Sequence, residues 1–223
     1  MQQLVGGVLI HVAPNAGLLN RLYDWLAASD PLQTSDVIFV LAGRECRKYF
    51  ALELLRAGWA PLLLLSVGRF EIRRFSNLEL PTELDLLALA STIEPRRRHY
   101  FVEIDSGTAQ ARRIARGRFG TLSEILAFSD WLREHSAIRS ATIVSSGFHL
   151  KRVRMCCRRL LPEGTRLHFV AVPDESRYLR GHWWRDPNAR KLVFSELLKI
   201  AAYRGLCQRL IASAHSVLAF TEP

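Results

Sequence analysis

The 223-residue sequence is poor in cysteine, methionine and lysine, with four, two and four of them, and it lacks the common nucleotide-binding and hydrolase signatures. Cys46, Cys156, Cys157 and Cys207 form no C-x-x-C pair and stand at no metal-ligand spacing with histidine, which argues against a zinc site or a disulfide framework. Cys156 and Cys157 are neighbours in a helical pattern, where at least one is expected to be buried as a small hydrophobe. No G-x-G-x-x-G, no G-x-x-x-x-G-K-[ST] and no G-x-S-x-G occurs, so the fingerprints of dinucleotide, Walker-type and α/β-hydrolase sites are missing. No internal repeat of about 20–50 residues and no proline- or serine-rich linker divides the chain. The first 20 residues carry no Asp, Glu, Lys or Arg. Their apolar part, 4–13, is well short of the roughly 20 residues that span a bilayer, and the basic start of a secretory signal is missing.

What is present is a large apolar fraction, 49%, against 23% charged residues, enough for a substantial core. The net charge is +10 and the pI about 10.1. Residues 1–95 hold 8 basic and 10 acidic groups and residues 96–223 hold 23 and 11, so the basicity belongs to the later part. Arginine supplies almost all of it, and its planar fork suits carboxylates and phosphates. An arginine-preferring genome and a phosphate-binding surface account for this composition equally well.

Short apolar runs alternate with longer amphipathic ones. Strands are expected at 36–41, 62–66, 100–104, 141–145 and 166–172, and helices at 46–56, 81–92, 121–135, 150–161 and 188–217. Strands separated by helices predict a parallel sheet with right-handed crossovers, hence an α/β, Rossmann-like three-layer sandwich with a mainly parallel sheet of about five strands. The organisation expected is a helical lead-in over 1–34, the sheet domain over 35–186 with an inserted basic segment near 69–119, and a docking helix over 187–223. In the last helix Val193, Leu197, Ile200, Cys207 and Ile211 recur at core spacing, while Glu196, Lys199 and Tyr203 fall on a neighbouring face as a structural polar cluster.

Ligands of such sheets collect at the carboxyl ends of the strands, which directs attention to three segments. Ser145-Ser146-Gly147-Phe148-His149-Leu150-Lys151-Arg152 runs from a strand into a helix, where backbone N–H groups and the helix dipole favour an anion. His149 is suited to proton transfer and Arg152 to a bidentate contact; a plain cap by Ser146 with His149 in a turn is the competing reading. Thr121 and Glu124 have the spacing of a capping box, and Glu124 could equally face the cleft as a carboxylate base. Ala42-Gly43-Arg44 and Ser66-Val67-Gly68 are glycine turns that let a phosphate or ribose approach the backbone, or simply close a tight strand-to-helix turn.

Together these segments resemble the YdcF-like family, which includes SanA and ElyC and whose domain is known as domain of unknown function 218. The resemblance runs from about residue 29 to 172. It takes in Ser29-Asp30-Pro31-Leu32, the first strand with Ala42-Gly43, Ala57-Gly58, Ser66-Val67-Gly68, Thr121-x-x-Glu124 and, most specifically, Ser145 to Arg152 with its His149-x-x-Arg152. The departures are Arg44 in place of further glycine, Val67 in place of a second glycine, Gly120 where asparagine or aspartate is usual, and a longer, more basic stretch over 69–119. The resemblance implies a Rossmann-like fold, a polar cleft and, for several members, a link to the bacterial envelope and its polysaccharides.

The function expected is binding of a phosphorylated or nucleotide-like small molecule, with hydrolysis or group transfer as its turnover. Glu124 and His149 are the catalytic candidates, and Gly43, Arg44, Ser66, Gly68, Thr121, Ser145, Ser146 and Arg152 the ligand-binding ones. No cofactor is specified beyond a nucleotide-like ligand, and no metal set is expected. The alternative is a basic module that binds nucleic acid or an anionic membrane face through Arg96, Arg97, Arg98, Arg112, Arg113, Arg116 and Arg118 without turnover; no nucleic-acid motif accompanies that run. Peripheral membrane contact fits either reading, and the expected location is cytoplasmic or at the inner membrane.

Overall fold

Short runs rich in leucine, valine and isoleucine at 37–40, 62–68 and 140–145 form neighbouring strands in the middle of the sheet. In the computed structural model, which describes residues 16–75, 77–80, 84–105, 107–115, 120–173, 181 and 183–219 (side chains to 211), the elements begin with α1 (Ala16–Leu26), β1 (Val37–Val40), α2 (Glu45–Arg56) and β2 (Leu62–Gly68). Next come α3 (Ile72–Phe75), α4 (Leu86–Ser91), β3 (His99–Ile104), β4 (Ala109–Arg113) and α5 (Gly120–Glu134). The chain continues through β5 (Ser140–Ser145), α6 (Leu150–Leu160), β6 (Arg166–Ala171) and α7 (Pro187–Ala219). The sheet order is β4-β3-β2-β1-β5-β6. β1 pairs in parallel with β2 and β5, and β5 with β6.

The architecture is α/β with helices on both faces, broadly Rossmann-like, and the sheet departs from expectation in two ways. It has six strands, and the β2–β3 and β3–β4 pairings are antiparallel. The direction of β3 follows from its connection. The two helices on the way, α3 and α4, have four and six residues, so no long helix packs back along β2 as in a parallel crossover. The chain therefore re-enters the sheet at the edge it left, with His99 opposite Gly68. The added strand, β4, follows a turn in which the Asp105 carboxylate accepts from the Gly107 and Thr108 N–H groups. Its outward Gln110, Arg112 and Arg113 give the sheet a charged edge.

Alternation along β1 divides the core. Val37 and Phe39 face α5, α6 and α7, with Phe128 stacked on Phe39 at 4.1 Å, whereas Ile38 and Val40 face α2, α3 and α4. A third cluster joins Tyr23 and Leu26 of α1 to Phe148, Trp183 and Val193. At the β6 edge, Ser29 Oγ accepts from Ala171 N and the Asp30 carboxylate from Phe169 N, so the entry segment covers that strand. In α7, Val193 and Cys207 are buried and Leu197, Ile200 and Ile211 partly so. The start of the helix expected at 81–92 lies outside the described residues; the helix present is α4, capped by Asp85. Among the described residues no helix is long and apolar enough to cross a membrane.

Candidate functional site

The carboxyl ends of β1, β2 and β5 and the first residue of antiparallel β3 meet at one edge of the sheet. After β1 the chain turns through Gly43 at φ +148° into α2, whose first turn sends the Arg47 guanidinium back under the turn. Arg47 donates to the Ala42 carbonyl at 2.9 Å and to Ser146 Oγ from Nε at 3.0 Å and from Nη2 at 2.5 Å, tying the end of β1 to the segment after β5. Gly43 thus makes room for a side chain of the same protein, since a Cβ there would lie 2.5 Å from Arg47 Nη1. Gly43→Ala is expected to lower stability by about 1–2 kcal/mol through backbone strain and displacement of Arg47. A thermal midpoint equal to wild type would contradict that account.

Lys48, the next residue, is almost fully buried and ion-paired with Glu71, which stands three residues beyond Gly68 and also accepts from its N–H at 3.5 Å. Gly68 meets only ordinary packing contacts. Across the edge, Ser66 Oγ and His99 Nε2 share a hydrogen bond of 2.8 Å, and His99 Nε2 lies 3.5 Å from Glu124 Oε1. Ser66, His99 and Glu124 are all buried. Burial, reinforced by the negative charge of Glu71, pushes the Glu124 carboxyl up to about 8, against the pull of Arg47, the Ala42 N–H and Lys48. At neutral pH it therefore carries a proton.

The proposed capping box takes another form. α5 begins at Gly120, so Thr121 lies within its first turn. Its hydroxyl accepts from Arg152 Nη1 at 2.6 Å, while the Glu124 carboxyl takes the Ala42 N–H. Both side chains look across the sheet edge.

The α6 corner is held by a carboxylate from α7. Glu196 is fully buried, accepts from Arg152 Nε at 2.8 Å and Lys199 Nζ at 2.8 Å, and lies 3.1 Å from His149 Nδ1. These cations and the histidine hold its carboxyl far below the usual carboxylate range although burial opposes this. Arg152 also sits over the Tyr203 ring at 5.0 Å, so the polar cluster expected on α7 is present and encloses Arg152. His149 Nδ1 is 3.1 Å from Arg152 Nη2 as well, and one nitrogen cannot donate to the carboxylate and accept from the guanidinium together. We assign the proton to Nδ1, donating to Glu196, because Arg152 Nη2 has Glu196 Oε1 at 3.4 Å as its own acceptor. Nε2 is then the lone-pair nitrogen. Burial lowers the His149 pKa, so the ring is neutral at pH 7, and its side chain is partly exposed.

Gly43, Ser66, Gly68, Thr121, Glu124, Ser146, His149 and Arg152 thus gather at one edge. Ser145 is buried in the end of β5, and Arg44 is exposed at the start of α2. The guanidinium of Arg152 is engaged by Glu196 and Thr121, so its fork orders the corner from within. Arg47, Lys48, Glu71, His99 and Glu196 join the site without having been singled out for it. No group of three or more His, Cys, Asp or Glu side chains suited to a metal occurs among the described residues. No family model matches this chain, and no curated protein or solved structure matches it.

Proposed function

We propose that the protein binds a phosphorylated or nucleotide-like small molecule at the carboxyl edge of its sheet and turns it over by hydrolysis or group transfer. What supports this reading is the gathering at one end of the sheet of Glu124 beside His99 and of His149 on Glu196, with the Glu124 carboxyl raised to about 8 by burial and the His149 ring lowered by burial, so that one suits giving a proton and the other taking one. Such a pair suits displacement at a phosphoryl or glycosyl centre. His149 Nε2 takes the proton of the attacking water or hydroxyl as its oxygen bonds to the centre. Glu124 gives its proton to the departing oxygen as the old bond breaks. The carboxylate then left on Glu124 is received by Arg47 and Lys48, which already favour its charged form. The resemblance makes envelope-polysaccharide precursors the first substrates to test.

The test is calorimetric titration with inorganic phosphate and nucleoside diphosphates, paired with turnover assays, on wild type, His149→Ala and Arg152→Lys. His149→Ala is expected to reduce turnover by roughly 10²–10⁴-fold while affinity falls much less. Arg152→Lys keeps the charge but loses the fork shared with Glu196 and Thr121, and is expected to weaken both. Equal affinities in all three proteins, with phosphate unable to compete, would place the ligand elsewhere.

A second reading has an observation of its own. Exposed Arg96, Arg97 and Arg113 line a cavity of about 300 Å³ beside the start of β3, a basic surface for an anionic partner. Arg112 of the same run is paired with Glu134, and Arg116 and Arg118 lie outside the described residues. Binding with a steep salt dependence would favour this surface over the sheet-edge cleft.

A further inference from the structure

We infer that the outward face of α7 is a docking surface for an anionic phospholipid bilayer, a role separate from the sheet-edge site. The 33-residue helix contains one carboxylate, Glu196, which is fully buried and neutralised by Arg152 and Lys199. The buried side is formed by Val193, Glu196, Tyr203 and Cys207. On the opposite side Phe194, Leu198, Ala201 and Gly205 follow one another at helical spacing and are exposed, Phe194 by 53% and Leu198 by 74%. Exposed Arg190 and Arg204 flank this stripe on one side and exposed Lys191 on the other.

Within the helix the charged residues that border this apolar stripe are all cations, a composition suited to a helix that lies in the lipid headgroup region. There the apolar side chains enter the acyl boundary while the cations meet lipid phosphates. Charge selects this occupant over a second copy of the chain, because two such faces would bring like cations together. The surface continues toward α1. Trp183 makes an edge contact with Phe194 at 6.1 Å and donates from Nε1 to the Leu19 carbonyl at 3.1 Å, beside Leu18, which is 67% exposed. Such a helix rests on the bilayer and does not cross it, in keeping with the lack of a long apolar helix among the described residues.

The experiment is co-sedimentation of the full chain with phosphatidylcholine vesicles, with and without about 30% phosphatidylglycerol, at low and high salt. Wild type is expected to sediment with the anionic vesicles and to be released by salt. Phe194→Ser/Leu198→Ser and, separately, Arg190→Glu/Lys191→Glu are each expected to weaken binding by about tenfold or more with an unchanged thermal midpoint. All four positions are exposed, and the second pair leaves the apolar stripe intact. No sedimentation, equal sedimentation with pure phosphatidylcholine, or wild-type binding by both variants would overturn the proposal. A dimer in light scattering that Phe194→Ser/Leu198→Ser dissolves, with no vesicle binding, would reassign the face to contact between copies.

Discussion

Glu196→Ala is expected to cost about 3–5 kcal/mol of folding stability, because it leaves the guanidinium of Arg152 buried without its counter-ion. For a chain of this size that lowers the thermal midpoint by roughly 10 °C. Two further variants separate charge from packing. Glu196→Gln keeps the shape and part of the hydrogen bonding and should fall between wild type and alanine. Glu196→Leu combined with Arg152→Met removes both charges and should recover most of the loss, since replacing a buried pair costs far less than breaking it. The pH dependence has a definite sign. The Glu196 carboxyl is depressed in the folded protein, so its contribution is complete above its ordinary value near 4.5 and is lost as the pH falls through its folded value. A Glu196→Ala protein that unfolds within about 0.5 kcal/mol of wild type would remove the ion pair from the account.

Glu124→Gln should act in the opposite pH range. The folded protein raises this carboxyl from 4.5 to about 8. The folded state thus holds the proton more tightly, an advantage fully present below pH 4.5 and eroded as the pH climbs toward 8. Wild type should lose stability over that window, on the order of 1.4 kcal/mol for each unit by which the pKa values differ. Glutamine has no proton to lose. The variant should therefore match wild type near pH 5 and exceed it by a few kcal/mol near pH 8.5, read from urea unfolding at each pH. Turnover should fall by about 10²–10⁴-fold, because the amide cannot supply the departing oxygen with a proton. Superimposable stability curves for the two proteins would mean that Glu124 is not the buried, protonated group described above.

β1, β2 and β5 in the middle of the sheet and β6 at its edge were legible because they are short, largely apolar runs at strand length, bounded by turn residues. β4 was not, since the alternation in Ala-Gln-Ala-Arg-Arg rests on two alanines, too small to mark a strand, and its place is set by the turn at Asp105 and by pairing with β3. The direction of β3 was hidden for a different reason. It is a matter of how the chain between β2 and β3 is laid down, with two short helices in place of one crossover helix, and no local apolar pattern reports strand direction. At the candidate site, the rule that ligands gather at strand ends pointed to Gly43, Ser66, Gly68, Ser146 and His149, and the capping-box spacing pointed to Glu124, with no knowledge of their neighbours. Arg47 and Lys48 escaped it because charged residues in an amphipathic helix ordinarily face solvent. Their burial is stabilised by Ser146 and Glu71, partners distant in the sequence. His99 escaped because the residue at the start of a strand reaches this edge only when the strand is reversed.

The placement of Glu196 also bears on how the chain is made. Val37 of the central strand finds its β5 neighbour roughly 100 residues later, and the carboxylate that neutralises Arg152 follows that arginine by 44 residues. At typical synthesis rates those 44 residues take roughly 2–9 s to emerge. During that interval a nascent chain that has assembled its sheet still holds an unmatched guanidinium at the β5–α6 junction. The corner around His149 can close only when the first third of α7, as far as Glu196, has left the ribosome. Synthesis thus leaves this site to the end, and a protein released early, before residue 196, would have a sheet without a finished edge.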